Sequence, residues 1–530
     1  MNSVYITLGA LGVFTAGVVF YARRIAFQLD INPQEKTPAY TKYDGVDFVP
    51  ARHWLILFGH HFASIAGAAP IVGPVIAASI WGWGPALLWI VLGSTLIGGV
   101  HDFTSLVVSV KSGGSSVADI AKDTISPRAR YVFSLFVFFA LILVVAVFGY
   151  LCAKTFVSDS RVILPSLGLI PVAIFIGFLI YRLKFSQFLS TLLGLLSLAG
   201  LIVLAQRYNF SFWKGNINIW LVILLIYAFF ASTAPVNILL QPRDYLSAYL
   251  LFFGIGVGFS GIFITHPNFS TPWYIKGSAV RFHLWPLLFV TVACGALSGF
   301  HALIASGTTS KQLPNQKYAR RIGYGAMILE GVLALLALLS VSAGLRFSSF
   351  QAIMAKSGPI VAFSRGFGTV VAPLLGKSGA MVGIIILNAF ILTTLDTATR
   401  ITRYIFEEIT HIHNRWASTL VVIVLAGFLA WGGRWRTIWP TFGAANQLVA
   451  SLTLFILSCW LLSRRRPFLF TFLPGLFMVA TTIAALVVQI IRYFSKQEYL
   501  LLGISIVLIA LALYIFSETL RVVFLKVKKR

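Results

Sequence analysis

Acidic residues are scarce in this sequence. Fifteen Asp and Glu stand against 41 Lys and Arg, and the four types together make up only 11% of 530 residues. Cysteine is scarcer still: Cys152, Cys294 and Cys459 all fall in or at apolar runs, with no CxxC spacing. That indicates neither a disulfide framework nor a zinc site. Also missing is any polar stretch long enough for a soluble catalytic or regulatory domain. The longest link, 346–377, has mixed polarity and reads as a short helix or spacer lying at the membrane surface. The HExxH helix of metalloproteases is absent, since the sequence here is HHFAS, and no motif pairs a serine with a histidine. An intramembrane enzyme is therefore only a remote alternative, as is a nutrient sensor, which would need a signalling domain from a separate partner.

What is present is apolar. Hydrophobic residues make up 58% of the chain and mean hydropathy is +0.89, more than one soluble core buries. The apolar residues come in continuous runs of about 20, which predicts membrane-spanning helices. Strict alternation, the mark of a closed barrel, is not seen. The runs predict an all-α polytopic membrane protein of about fifteen spans. The first run, Ser3 to Ala22, lacks a basic leader and precedes Arg23 and Arg24, so it reads as an uncleaved span.

The net charge of +26 does not indicate nucleic acid, because the basic residues sit in the short links between runs. With the N-terminus outside, 27 of the 41 Lys and Arg fall on the inner side and 14 on the outer. The clusters Lys311–Arg321, Arg464–Arg466 and Lys526–Arg530 are all inner. This pattern predicts an odd number of spans and a cytoplasmic C-terminus.

Ionisable residues inside a span are expensive and usually face a cavity or a partner. Asp102, Glu330 and Asp396 lie within runs, as do His60, His61, His101 and His301, whereas no Lys or Arg falls mid-span. At about 1.5 Å per residue, all sit in the inner half of the membrane. Three open questions accompany them. Asp396 could pair with Arg400 one turn on, Glu330 could merely bond a neighbouring helix, and the histidines could be neutral packed rings.

Two runs carry helix breakers. In "GHHFASIAGAAPIVGPVIAA", Gly67, Pro70, Gly73 and Pro74 interrupt the second span, and backbone groups freed there must line protein or a wet cavity. In "FFASTAPVNILLQPRDY", Ser232, Thr233, Pro235 and Asn237 interrupt the seventh. The first break runs inside to outside and the second outside to inside, five spans later. This predicts an inverted five-plus-five repeat, with 1–52 as a first helix and linker, 53–206 and 217–400 as the two repeats, and 415–530 as four further helices. Such folds hold substrate where half-helix ends converge, and N-terminal ends favour anions. The expected substrate residues are His61, Ser64, Gly67, Ala68, Ala69, Pro70 and Gly73 on the first break, with Ser232, Thr233, Pro235 and Asn237 on the second. His60, His61, Asp102, His301 and Asp396 are expected to carry the coupling ion. Ser298, Ser306 and Thr309, in the small-residue stretch "CGALSGFHALIASGTTSK", could add hydroxyl ligands, though such stretches often serve packing alone. Arg243 and Asp244 would lie at the inner mouth as a gate or a surface ion pair.

Taken together, "GHHFASIAGAAPIVGPVIAA", "GGVHDFTSLVVSV", "QPRDYLSAY", "CGALSGFHALIASGTTSKQL", "GYGAMILEG", "LDTATRITRYI" and "WPTFGAANQLVASLTL" resemble the carbon starvation protein A family, in family order over most of the chain. The resemblance implies a bacterial inner-membrane uptake carrier used under nutrient shortage. It also implies a five-plus-five plan and a small-molecule substrate, pyruvate with proton symport or else peptide. The family pattern falls on His60, His61, Gly67, Pro70, Gly73, Pro74, Asp102, Pro242–Asp244, Gly299–Thr309, Asp396, Asn446 and Gln447. The chain departs from it at Ala69 and Ser310 and in a shorter insertion before "LDTATR", which bears on substrate more than on fold. The expected reading is a proton-coupled symporter for a small carboxylate, with sodium coupling or peptide uptake as alternatives. Membrane lipid is the only partner besides the substrate, and neither a metal, a cofactor nor nucleic acid is called for.

Overall fold

The computed structural model describes residues 1–208, 215–235, 239–276, 283–431 and 435–527. In chain order its main helices are α1 (Ser3–Leu29), α2 (Trp54–Ile65), α3 (Ala69–Trp81), α4 (Trp83–Lys111), α5 (Pro127–Ser158), α6 (Ser160–Ile180), α7 (Gln187–Arg207), α8 (Ile217–Thr233), α9 (Leu240–Thr265), α10 (Leu284–Thr291), α11 (Gly299–Gly307), α12 (Gln316–Ser342), α13 (Phe347–Lys356), α14 (Pro359–Val370), α15 (Gly379–Thr410), α16 (Arg415–Ala430), α17 (Trp435–Ser463), α18 (Leu469–Ser495) and α19 (Tyr499–Val527). Among the described residues the only strand-like pairing is one bridge, Asn2 to Asn268.

Several helices start where a short polar side chain takes over an orphan amide. Asn2 accepts from the Val4 amide at 2.9 Å, Ser126 from Ala129 at 3.1 Å ahead of Pro127, and Asn414 from Trp416 at 3.0 Å. By length and composition, eleven described helices can cross a membrane, or twelve if α2 and α3 form one span bent by 42°. The remaining apolar runs give shorter pieces: α8, α16, and the pair α10 and α11 separated by residues 292–298. Buried and peripheral helices differ sharply. The apolar window of α17 is wholly buried, whereas α1, α7 and α19 bury 28% of theirs and turn Phe20, Phe188 and Phe524 outward.

The two ends of the bundle are chemically distinct. Arg466 meets Asp30 at 2.8 Å and Asn315 bonds the Pro33 carbonyl at 2.9 Å, which gathers the Lys311–Arg321 and Arg464–Arg466 clusters at one end, here the basic end. At the opposite end the Ser3 amide reaches the Pro267 carbonyl at 3.1 Å and the Ser270 amide reaches Ser342 at 3.0 Å.

Two expectations change. The 346–377 link is not merely a surface spacer: α14 buries Ile360, Phe363, Phe367 and Val370, and Gln351 of α13 donates to the Ser79 carbonyl at 2.7 Å. It packs as part of the bundle because its apolar residues recur at helical spacing. Nor do Ser232, Thr233 and Pro235 sit in a mid-helix break. α8 ends at Thr233 beside basic-end residues, and α9 starts at Leu240 and runs to the opposite end, so these are two helices. Pro235 follows the first of them, where it cannot continue the helix. Asn237 lies outside the described residues. The second interruption inside a span is at 292–298.

Candidate functional site

The first break is stitched from outside its own helix. Ending α2 at Ile65 strands four carbonyls. The Ala66 amide takes that of Phe62 at 2.9 Å and the Gly67 amide that of Ile65 at 2.9 Å. The other two are met by α15: Thr393 donates to Ala63 at 2.9 Å and Thr394 to Ser64 at 3.4 Å. On the far side, the amides of Ala68 and Ala69 make no hydrogen bond among the described residues, and Pro70 has none to give. Two donors at the start of α3 are thus left open.

The second break is stitched the same way, by α17. Asn446 accepts from the Phe300 amide at 3.0 Å and exchanges hydrogen bonds with Ser298, 2.9 Å from its amide nitrogen. Gln447 donates to the Phe289 carbonyl at 2.8 Å, and Trp89 to Val292 at 3.0 Å. The two breaks touch through backbone. A Cβ on Gly73 would stand 2.6 Å from the Thr291 carbonyl oxygen, and one on Gly295 would stand 3.5 Å from the Pro70 Cα. Among the described residues the partner of Gly67–Pro74 is therefore 291–298, not Ser232, Thr233 or Pro235. The hydroxyls of Ser232 and Thr233 turn back on the Phe229 carbonyl, at 3.2 and 3.1 Å, and Pro235 follows them at the basic end.

Successive residues on a helix point about 100° apart, so His60 and His61 enter different surroundings. His61 Nδ1 lies 2.8 Å from Thr309 Oγ1, tying α2 to the chain after α11. Beside α11 lies a buried quartet. Asp102 holds His101 Nδ1 on one oxygen at 2.7 Å and His301 Nδ1 on the other at 2.8 Å. His301 Nε2 is 3.1 Å from Glu330 Oε2, close enough for an ion pair though off the line of a hydrogen bond. All four side chains are fully buried, and no Lys or Arg pairs with them among the described residues. Two carboxylates without a permanent cation are costly to bury there unless a proton or a bound cation neutralises them. Ser306 lies apart, donating to the Ala302 carbonyl of its own helix at 2.8 Å.

His60 belongs to a second cluster. Its Nδ1 is 2.9 Å from Asp244 Oδ2, which Ser64 also approaches at 3.3 Å. Arg243 bonds Asp244 through Nε and Nη2, at 3.1 and 2.6 Å, and turns Nη1 onto Asp396. Tyr227 of α8 completes the group, its hydroxyl 2.7 Å from Asp396. Arg243 is 1% exposed, so Arg243 and Asp244 are not a surface pair; three helices cover them. Asp396 takes Arg243, and Arg400 reaches the Ala231 carbonyl instead. Two buried cations thus stand near the basic end, hidden from sequence because Arg243 and Arg400 lie at the ends of apolar runs. Among the described residues no three His, Cys, Asp or Glu converge as a metal ion requires.

Residues 2–346 and 346–485 match the carbon starvation protein CstA. The chain belongs to the CstA family. Its relatives include the peptide transporter CstA of Escherichia coli K12, 31% identical over 88% of this chain and 78% of that one. The peptide transporter CstA of Campylobacter jejuni is 29% identical over 93% and 81%. The pyruvate/proton symporter BtsT of E. coli K12 is 27% identical over 94% and 83%. A crystal structure of the manganese transporter of Eremococcus coleocola superposes with a TM-score of 0.54, covering 91% of this chain and 99% of that one at 12% identity, a likeness of fold alone. This CstA-family chain is thus a multi-pass membrane transporter.

Sequence reasoning missed Thr393, Thr394 and Tyr227, and had no role for Asn446 and Gln447. Thr393 and Thr394 sit three and two residues before Asp396 in "LDTATR" and its flank, the one signal available. The second break makes a test. A Cβ at Gly299 would stand 2.4 Å from Val449 Cβ and 2.5 Å from the Ala450 nitrogen and Asn446 oxygen, backbone that cannot yield. Gly299→Ala is expected to cost about 1–3 kcal/mol. Thermal unfolding in detergent reads it; an unchanged midpoint would show that α11 and α17 are not so closely apposed.

Proposed function

We propose that this transporter is a proton-coupled symporter of a small carboxylate, pyruvate above all. The single observation that carries the reading is the quartet of Asp102, His101, His301 and Glu330, fully buried and, among the described residues, without a Lys or Arg partner. Such a group holds protons or stands unbalanced in a low dielectric. It abuts α11, whose N-terminal side meets the first break, so proton and substrate act on the same moving pieces. The substrate carboxylate sits on the open amides of Ala68 and Ala69, at the positive end of α3. A relative named a pyruvate/proton symporter, matched over most of both chains, supports the choice. Arg243 is saturated by two carboxylates, so it works as a latch with Asp244 rather than as a substrate ligand. The basic end faces the cytoplasm of a bacterial inner membrane, and the N-terminus faces outward.

A peptide is the second reading. The basic-end cavities, about 360 and 480 Å³, are lined by Arg130, Arg400 and Arg415 together with Asp47, Glu407 and Glu408, both signs that a zwitterion needs. Relatives named peptide transporters point the same way.

The test is uptake of labelled pyruvate into proteoliposomes under an inward proton gradient. Accumulation that an uncoupler abolishes is the expected result. Uptake of di- or tripeptides instead would select the second reading. Uptake that follows sodium at fixed pH would replace the proton, with Thr393 and Thr394 bonded to carbonyls at the first break.

A further inference from the structure

The cavity of about 480 Å³ at the basic end lies between the end of α8, the last turns of α15 and the start of α16. Arg400 lines it and is only 2% exposed. Its Nη2 bonds the carbonyls of Ala231, at 3.2 Å, and Ala234, both neutral, and its Nε has no partner among the described residues. Nor does any carboxylate among those residues lie within ion-pair distance of it. Asp396, one turn away, is held by Arg243 and Tyr227, Asp47 accepts from the Tyr404 hydroxyl at 2.8 Å, and Glu407 stands 3.5 Å from Arg403. The stretches outside the described residues contain no Asp or Glu. A buried guanidinium without a counter-charge is costly. Arg403, 7% exposed, lies over the Tyr404 ring with its own Nε unpartnered among the described residues, and Arg415 and His413 form the rim. Three arginines against Asp47 and Glu407 leave the wall positive.

We infer that this cavity is a second binding site, for a small oxyanion, a carboxylate or phosphate group seated on Arg400 with Arg415 at its mouth. A guanidinium offers paired donors that match either group. The oxyanion belongs either to the transported carboxylate leaving the central site or to an acidic lipid headgroup. The site itself does not depend on the transport reading.

Binding of radiolabelled inorganic phosphate to the full chain in nanodiscs tests it, with pyruvate as competitor, in zwitterionic lipid and in lipid containing phosphatidylglycerol. Saturable phosphate binding is expected, weakened about tenfold in Arg400→Gln and about threefold in the rim variant Arg415→Gln. Competition by pyruvate identifies a carboxylate occupant, and loss of phosphate binding on adding phosphatidylglycerol identifies a headgroup. Should Arg400→Gln fail to fold, Arg415→Gln, at an exposed position, decides the matter alone. Absence of phosphate binding in zwitterionic lipid, or wild-type binding in the folded variants, overturns the proposal. Phosphate binding without any pyruvate uptake would defeat the transport reading and leave this site standing.

Discussion

Asp102→Asn is expected to abolish uphill uptake while exchange down a gradient continues. Asparagine keeps the size of aspartate and one acceptor, so the bond to one imidazole survives. It removes the charge that lets His101 and His301 be held together, at 2.7 and 2.8 Å, on opposite oxygens of one carboxylate. Glu330 then remains the only acid beside His301 among the described residues, and the proton has lost half of its balance. Removing one partner of a buried charged group costs roughly 3–5 kcal/mol, comparable to what a proton gradient supplies to one substrate at about 2.3 kcal/mol per 100 mV. The accumulation ratio should fall to the level reached with an uncoupler, whereas counterflow of labelled against unlabelled substrate should persist, because the helix breaks lie outside the substitution. Full accumulation in the folded variant would remove the quartet from the coupling step.

How far this arrangement could be read from sequence depends on whether its causes are local. The spans follow from apolar runs, and the first break from Gly67, Pro70 and Pro74, which act on their own turn of helix. The second break has no such signal. "CGALSG" contains no proline, and its unwinding rests on Asn446, Gln447 and Trp89, from other helices. Ser232–Asn237 misled for the converse reason: apolar residues flank it on both sides, and hydropathy does not distinguish a broken span from two helices that meet at an end. Arg243 and Asp244 resembled a surface pair because charge at the edge of an apolar run usually is one. Asp396 and His60, 153 and 184 positions away in the chain from Arg243 and Asp244, are what let them be buried. Complementarity across helices is invisible until the helices are placed.

That complementarity sets the largest stability effect. Arg243→Gln leaves Asp244 and Asp396 buried without their shared cation, and each was balanced through it. A loss of roughly 3–5 kcal/mol is expected, and Asp396→Asn should cost less, because Asp244 still holds the arginine through Nε and Nη2. The double variant Arg243→Met with Asp396→Leu should be less damaged than the two costs combined, since it removes that ion pair as a unit, and its remaining loss is that of Asp244 left beside His60 alone. Unfolding in mixed micelles measures all of them under one condition. Strictly additive losses would show that the pair is not coupled. A double variant that still folds yet leaks substrate would assign the cluster to the latch: α8, α9 and α15 would still pack, but the tie between Arg243 and Asp396 would no longer hold them shut at the basic end.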